Sequence, residues 1–162
     1  MAPAILMIIV LSGVVGVSSQ PPPCPHGWTS RESSCYAFIS DTPEDWMTAM
    51  SYCNALHATL VEIETVAEDE FLRMHLLDSK ATGGYWIGLS DILVEGDWVW
   101  TSTQTNPTYS NWNPGQPDNV HHHQDCGQLY GPYRFHWDDG LCNTANNFIC
   151  EKAINEDIDV IG

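Results

Sequence analysis

The chain has 162 residues, with 21 acidic residues against five lysines and arginines, for a formal net charge of −16. Such an acidic surface repels nucleic acid and anionic lipid and favours cations, so nucleic-acid binding and membrane insertion are not expected. Residues 20–162 fit one domain with a single core.

The N-terminal segment, residues 1–19, has no charged side chain and contains the apolar run Ala4–Val17. This run is too short to span a bilayer, and small residues follow it, as at a signal-peptidase site. We therefore expect a cleaved signal peptide and a secreted, extracellular protein, against the alternatives of a retained anchor or a buried segment. Residues 20–23 form a short proline-rich entry to the domain.

Six cysteines follow the N-terminal segment, and an even count in a secretory chain predicts three disulfides. The count alone leaves about fifteen pairings open. A cysteine-bound metal cluster is disfavoured, because the sequence contains no Cys-x-x-Cys pair. The residues are Cys24, Cys35, Cys53, Cys126, Cys142 and Cys150.

Two helices are predicted in the first half of the chain. Thr42-Pro43-Glu44-Asp45 is typical of a helix start with Thr42 as the cap, and the following apolar residues recur at helical spacing. Thr65-Val66-Ala67-Glu68 matches a capping box and predicts a second helix through about Leu77.

Short strands are predicted around these helices. A first pair lies near Trp28 and Tyr36–Phe38, and the later runs alternate with turn-rich loops. The polar segment 103–124 is a long loop, and such loops inside compact domains are usually functional or disordered. The later runs are Tyr85–Leu89, Trp98–Thr101, Gln128–Leu129 and Asn147–Cys150.

Oxygen-bearing side chains gather at two nearby segments, Gln116-Pro117-Asp118 and Trp137-Asp138-Asp139. Hard cations such as Ca²⁺ take carboxylate and amide oxygens rather than sulfur. The pattern therefore predicts a calcium site. The alternative is that the first segment is only a proline turn.

The order of the cysteines and three short segments form a pattern that is typical of one family. The segments are Trp86-Ile87-Gly88-Leu89, Tyr109-Ser110-Asn111-Trp112 and Trp137-Asp138-Asp139. Together they resemble the long form of the C-type lectin-like domain family over residues 24–152. This resemblance implies an α+β fold with two helices, two small antiparallel sheets, a long calcium-binding loop and the disulfides Cys24–Cys35, Cys53–Cys150 and Cys126–Cys142. Residues 153–162 would be an acidic tail.

The resemblance also implies two calcium sites. In the first, Gln124 replaces the family's usual Glu, Asp138 replaces its usual Asn, and Pro117 follows a cis bond. An auxiliary calcium would steady the long loop; the alternative there is a loop held by hydrogen bonds. The sugar-site ligands would be Gln116, Asp118, Gln124, Asp138 and Asp139, and the auxiliary ligands Asp91, Glu95, Asn119 and Asp125.

Gln-Pro-Asp accompanies galactose and N-acetylgalactosamine binding in the family, so the resemblance implies a galactose-type lectin acting on glycoconjugates or, in innate immunity, on microbial surfaces. An aromatic ring beside this loop usually stacks on the sugar. The predicted sugar contacts are Gln116, Asp118, Gln124, Asp138, His121 and His123, with Tyr133, Phe135 and His136 as less direct stacking residues.

Three other functions compete with sugar binding as interpretations of the sequence. The run His121–His123 suggests zinc binding, but it lacks the spaced ligand pair of a zinc site; charging of these histidines would instead weaken sugar binding below about pH 6. No catalytic motif is present, so an enzyme is not expected. The alternative in the same family is a protein- or mineral-binding matrix module. Assembly into a homo-oligomer stays open.

Overall fold

A computed structural model describes residues 24–154, apart from the side chain of His121. The predicted signal peptide, the proline-rich entry and residues 155–162 of the acidic tail lie outside the described residues. Within residues 24–154, no helix has the length and apolar character needed to cross a membrane.

Residues 24–154 contain two α-helices and eight strands. The helices are α1 (Trp46–Ala55) and α2 (Val66–Asp78). The strands are β1 (Thr29–Arg31), β2 (Ser34–Glu44), β3 (Thr59–Leu60), β4 (Gly84–Ser90), β5 (Val99–Trp100), β6 (Cys126–Tyr130), β7 (His136–Gly140) and β8 (Asn146–Ala153).

The strands form one connected sheet in the order β1-β2-β8-β4-β6-β7, with β3 added to β8 and β5 added to β4. Two separate antiparallel sheets were expected. They are joined because the start of β8 pairs with β4 in parallel, with Tyr85 opposite Asn147 and Trp86 opposite Phe148. All other strand pairs are antiparallel. The α+β class is confirmed.

Helix α1 begins later than predicted. Its cap is Asp45, whose carboxylate accepts the Thr48 backbone N–H at 2.9 Å, whereas Thr42 lies in β2. Prediction of Thr42 as the cap was wrong because β2 continues through Glu44, which pairs with Asn146 of β8. A long-range strand pairing therefore overrides a local helix-start signal.

The start of helix α2 is confirmed. Thr65 Oγ1 accepts the Glu68 backbone N–H at 3.2 Å, and the Glu68 carboxylate accepts from the Glu64 N–H at 3.0 Å. The Glu68 carboxylate also accepts from the hydroxyl of Tyr36 at 2.8 Å, which ties the helix start to β2.

The three predicted disulfides are confirmed as Cys24–Cys35, Cys53–Cys150 and Cys126–Cys142. Cys53–Cys150 joins α1 to β8 inside one core cluster with Trp46, Trp86 and Phe148. A second cluster packs α2 against the sheet around Trp100 and Trp137. Trp137 is fully buried, so it fixes the position of the two aspartates that follow it on β7.

Candidate functional site

An open cleft of about 540 Å³ lies where the long loop meets the ends of several strands. The long loop supplies one wall, strands β4, β6, β7 and β8 supply the floor, and the β6–β7 turn adds Tyr133 to the lining. The polar and aromatic residues that line the cleft are Trp86, Gln116, Asp118, Gln124, Gln128, Tyr130, Tyr133, Asp138, Thr144 and Asn146.

Backbone pairing holds the long loop against β7. The Trp137 N–H donates to the Asn111 carbonyl at 2.9 Å, and the Asn113 N–H donates to the Trp137 carbonyl at 2.9 Å. The side chains repeat this link, since buried Asp69 on α2 accepts from Trp137 Nε1 at 2.7 Å and from Asn111 Nδ2 at 2.6 Å. Burial raises the pKa of Asp69. The loop base is therefore fixed from two sides.

Asp139 holds the tip of the loop from beneath. Its two carboxylate oxygens accept the backbone N–H groups of Asp118 (3.1 Å) and Asn119 (2.7 Å), and the residue is fully buried. Its carbonyl accepts from Gln124 Nε2 at 2.9 Å. Burial raises the pKa of Asp139. Asp139 thus supports the cleft wall without lining the cleft.

Gln116 and Asp118 face the cleft across the Gln116–Pro117 peptide bond, which is cis as the resemblance implied. Gln116 Nε2 donates weakly to Asp118 Oδ2 at 3.4 Å. Gln116 Oε1 is buried and has no hydrogen-bond partner among the described residues. An unpaired buried acceptor costs about 1–3 kcal/mol, so this oxygen is suited to a cation or a hydroxyl donor.

Asp138 carries a buried carboxylate on the cleft floor. Burial, and then the charges of Asp139 and Asp118, raise its pKa to about 6. Gln128 Nε2 donates to Asp138 Oδ2 at 2.8 Å, and Gln128 Oε1 accepts from Asn146 Nδ2 at 2.9 Å. This pattern concentrates negative charge that a bound cation would neutralise.

The donor set of the cleft fits calcium rather than zinc. Among residues 24–154, no three His, Cys, Asp or Glu side chains form a ready metal centre. A cation would therefore need the amide oxygen of Gln116 together with Asp118 and Asp138, and such mixed oxygen sets are typical of Ca²⁺. Gln124 lines the same cleft, but its Oε1 already accepts the Val120 N–H at 2.6 Å.

The predicted auxiliary site is only partly assembled. One oxygen of buried Asp91 accepts the Gly96 N–H at 2.8 Å, and the other has no partner among the described residues. Burial, and then the charges of Glu95 and Asp125, raise the pKa of Asp91. Asn119 Oδ1 instead accepts the Gln124 N–H at 3.0 Å.

Comparison with known proteins decides the family. Residues 42–152 match the Lectin C-type domain. The chain belongs to the C-type lectin domain family. It is 33% identical over 147 residues to a perlucin-like protein of Mytilus galloprovincialis, covering 90% of this chain and 93% of that protein. It is 37% identical over 132 residues to perlucin of Haliotis laevigata, covering 80% of this chain and 83% of that protein.

The C-type lectin fold is also found among solved structures. The mouse scavenger receptor C-type lectin carbohydrate-recognition domain superposes with a TM-score of 0.75 at 33% identity, covering 82% of this chain and 100% of that domain. The family and the fold are thus lectin-type, and the catalytic motifs that would indicate an enzyme are missing from the sequence.

The histidine run of this C-type lectin domain does not line the cleft as far as it is described. His123 lines a neighbouring cavity of about 420 Å³, which shares Leu141 with the cleft, and His122 is exposed. The side chain of His121 lies outside the described part of the chain. His123 is therefore next to the cleft but is not one of its lining residues.

Some lining residues of the cleft were not predicted from the sequence. They are Gln128, Tyr130 and Asn146, whereas Tyr133 was predicted only as a less direct stacking residue. Phe135 is buried in the core. His136 lies 2.9 Å from Arg73 through its Nε2 atom. Lining residues on different strands leave no local signal in the sequence.

Proposed function

We propose that this C-type lectin domain binds terminal galactose or N-acetylgalactosamine through sugar hydroxyls coordinated to a bound Ca²⁺. The observation that carries the proposal is the buried, unpartnered Oε1 of Gln116, placed beside Asp118 at the rim of a cleft that also contains Asp138. The similarity to a carbohydrate-recognition domain supports the same function.

Each residue has a separate task in this proposal. When bound, calcium supplies the positive charge that attracts two sugar hydroxyl oxygens. Gln116 offers an amide N–H donor and Asp118 a carboxylate acceptor, which orients a hydroxyl pair differently from the reverse arrangement. Asp138 adds negative charge to the floor, and Asp139 holds the loop backbone in place. Gln124 would be a further calcium ligand if its Oε1 released the Val120 N–H that it accepts here.

A second calcium is proposed near Asp91, because this buried carboxylate has one unpartnered oxygen and feels the charges of Glu95 and Asp125. Asn119 would complete this shell after releasing the Gln124 N–H. Its role would be to order the long loop, which lowers the entropy cost of sugar binding.

The proposal is tested by retention on galactose- and mannose-coupled resins in calcium, followed by elution with EDTA. Retention on galactose with release by EDTA is expected. The double variant Gln116→Glu/Asp118→Asn should move retention from galactose to mannose. The matched control Glu70→Gln/Asp78→Asn changes acids on α2 and should behave like the natural sequence. Failure of the natural sequence to bind either resin would contradict the proposal.

We also propose that the domain acts outside the cell, with residues 1–19 removed. Support comes from three disulfides, which persist in oxidising compartments, and from the uncharged N-terminal segment. N-terminal sequencing of protein secreted by a eukaryotic host should begin near residue 20. A mature chain that still begins at Met1 would contradict this.

The net charge of −16 favours a second function, binding to a cationic mineral or protein surface. Free sugar separates the two functions, since a monosaccharide releases a lectin from its ligand but leaves a mineral- or protein-bound module in place. Binding to calcium carbonate that galactose does not reduce would support the second function.

A further inference from the structure

We propose that Tyr130 and Tyr133 form a second sugar subsite, which holds the pyranose ring adjoining the terminal sugar. The inference rests on the proposed function, because it extends the same cleft away from Gln116 and Asp118. The ligand would then be an oligosaccharide of at least two residues rather than a single terminal sugar.

The two tyrosines form one aromatic surface where β6 ends and the β6–β7 turn begins. Their ring centroids are 5.2 Å apart, and the rings are nearly perpendicular at 80°. Both line the cleft and both are partly exposed. A pyranose presents an apolar C–H face, and aromatic rings of this kind bind such faces while their hydroxyls remain in water.

The turn that carries these rings is fixed without a ligand. The Gly131 N–H donates to the Gly83 carbonyl at 2.8 Å, and a Cβ added at Gly131 would lie 2.9 Å from that oxygen. Arg134 and Phe135 follow with φ of 54° and 60°, which is unusual for non-glycine residues. This reversal returns Phe135 to the core, at 2% exposure, and leaves Tyr133 at the cleft. Such backbone strain is concentrated at binding sites.

Amide groups provide the polar part of the subsite. Gln128 and Asn146 line the same cleft, and a 2.9 Å hydrogen bond between them fixes the orientation of both amides. Gln128 also donates to Asp138 at 2.8 Å. Gly84 keeps this floor open, because a Cβ there would contact Gln128 Oε1 and would lie 2.8 Å from Asn146 Nδ2. An aromatic wall with a few oriented amides is the usual composition of a sugar-sized pocket.

The size of the cleft supports a ligand larger than one coordinated sugar edge. Its volume of about 540 Å³ lies within the range of small-molecule pockets, whereas one cation and two hydroxyls occupy only the rim at Gln116 and Asp118. The lining of the cleft also includes Tyr133 and Thr144, which belong to other segments of the chain. A linked second sugar residue is the ligand that reaches both regions at once.

The test compares monosaccharides with matched disaccharides by titration calorimetry in calcium. The probes are methyl β-galactoside against lactose, and methyl α-mannoside against α1,2-mannobiose. The natural sequence should bind one disaccharide about 5- to 10-fold more tightly than its monosaccharide, as expected for one aromatic stacking contact. Tyr133→Ala should remove this advantage, because it lowers the affinity for the disaccharide more than the affinity for the monosaccharide. The control is Tyr52→Ala, at a tyrosine on α1 that is 39% exposed and does not line the cleft.

The possible outcomes separate the two proposals. If no monosaccharide binds in calcium, the proposed function fails. If a monosaccharide binds but neither disaccharide binds more tightly, the second subsite is refuted while the proposed function stands. Equal losses for both sugars in Tyr133→Ala would also refute it. If Tyr133→Ala does not fold, saturation-transfer NMR of the natural protein with the disaccharide replaces it. Saturation should reach the protons of the second sugar ring, and a lack of saturation there would overturn the proposal.

Discussion

Replacing Asp138 with Asn should stabilise the calcium-free protein while weakening its affinity for calcium. The Asp138 carboxyl has its pKa raised from the ordinary 3.8 to about 6, chiefly by burial. Ionising such a group in the fold costs about 3 kcal/mol at pH 7.5. Solvent in the open cleft screens part of this cost, so we expect a gain of about 1.5 kcal/mol. Asn keeps the oxygen that accepts from Gln128.

The direction of this stability change follows from the difference in the Asp138 pKa between the folded and the unfolded protein. A carboxyl with a raised pKa in the fold loses its proton first in the unfolded chain, so its ionisation favours unfolding. The loss of stability that ionised Asp138 causes is absent below pH 3.8, grows as the pH rises, and reaches its full value above about pH 6.

The assay is thermal unfolding in EDTA, where D138N should melt about 4–6 °C higher at pH 7.5. At pH 4 the two melting temperatures should converge, because the Asp138 carboxyl is neutral in the fold. Added calcium should raise the melting temperature of the natural sequence more than that of D138N, since fewer negative ligands bind calcium less tightly. A melting temperature for D138N equal to or below that of the natural protein in EDTA at pH 7.5 would refute the reasoning.

Three further predictions concern the support and use of the cleft. Asp69→Ala should lower the free energy of unfolding in urea by about 2–4 kcal/mol, because the side chains of Trp137 and Asn111 lose a buried acceptor. The control Glu70→Ala, at an exposed neighbour, should change it by less than about 0.5 kcal/mol. Similar losses in both variants would contradict the role of Asp69. Gly84→Ala should lower the free energy of unfolding by about 1–3 kcal/mol, because the added Cβ displaces the side-chain amides of Gln128 and Asn146. The same displacement should reduce retention on the sugar resin. Unchanged retention would argue against a sugar at the cleft floor. Retention on galactose resin at fixed calcium should fall between pH 7.5 and pH 5, because the Asp138 carboxyl, whose pKa is about 6, becomes neutral. Equal retention at the two pH values would show that Asp138 is not a calcium ligand.

The parts that sequence predicted well are those set by local signals. Thr65 and Glu68 lie within one helical turn, so the start of α2 could be inferred from the sequence alone. Gln116 and Asp118 flank Pro117, so one turn places both of their side chains in the cleft lining. The cysteine pairing came from the family resemblance, because the count alone left every pairing open.

The parts that sequence did not predict depend on contacts between distant segments. The cap of α1 moved to Asp45 because Glu44 pairs with a residue about a hundred positions away. The floor of the cleft unites Gly84, Gln128 and Asn146, which come from three strands. The parallel pairing of β4 with β8 brings these strands together, and no periodic pattern in the sequence encodes it.

Strand β8 connects the cleft to the place where the two ends of the described chain meet. Asn146 begins the strand at the cleft floor, and Ala153 pairs with Ser34 beside the Cys24–Cys35 disulfide. Seven steps of an extended chain span about 23 Å. A tether, tag or assembly partner that begins at Ala153 would therefore lie about 23 Å from the cleft floor at Asn146. Several copies joined there could all present open clefts to one glycan-bearing surface, which would convert weak single contacts into strong attachment.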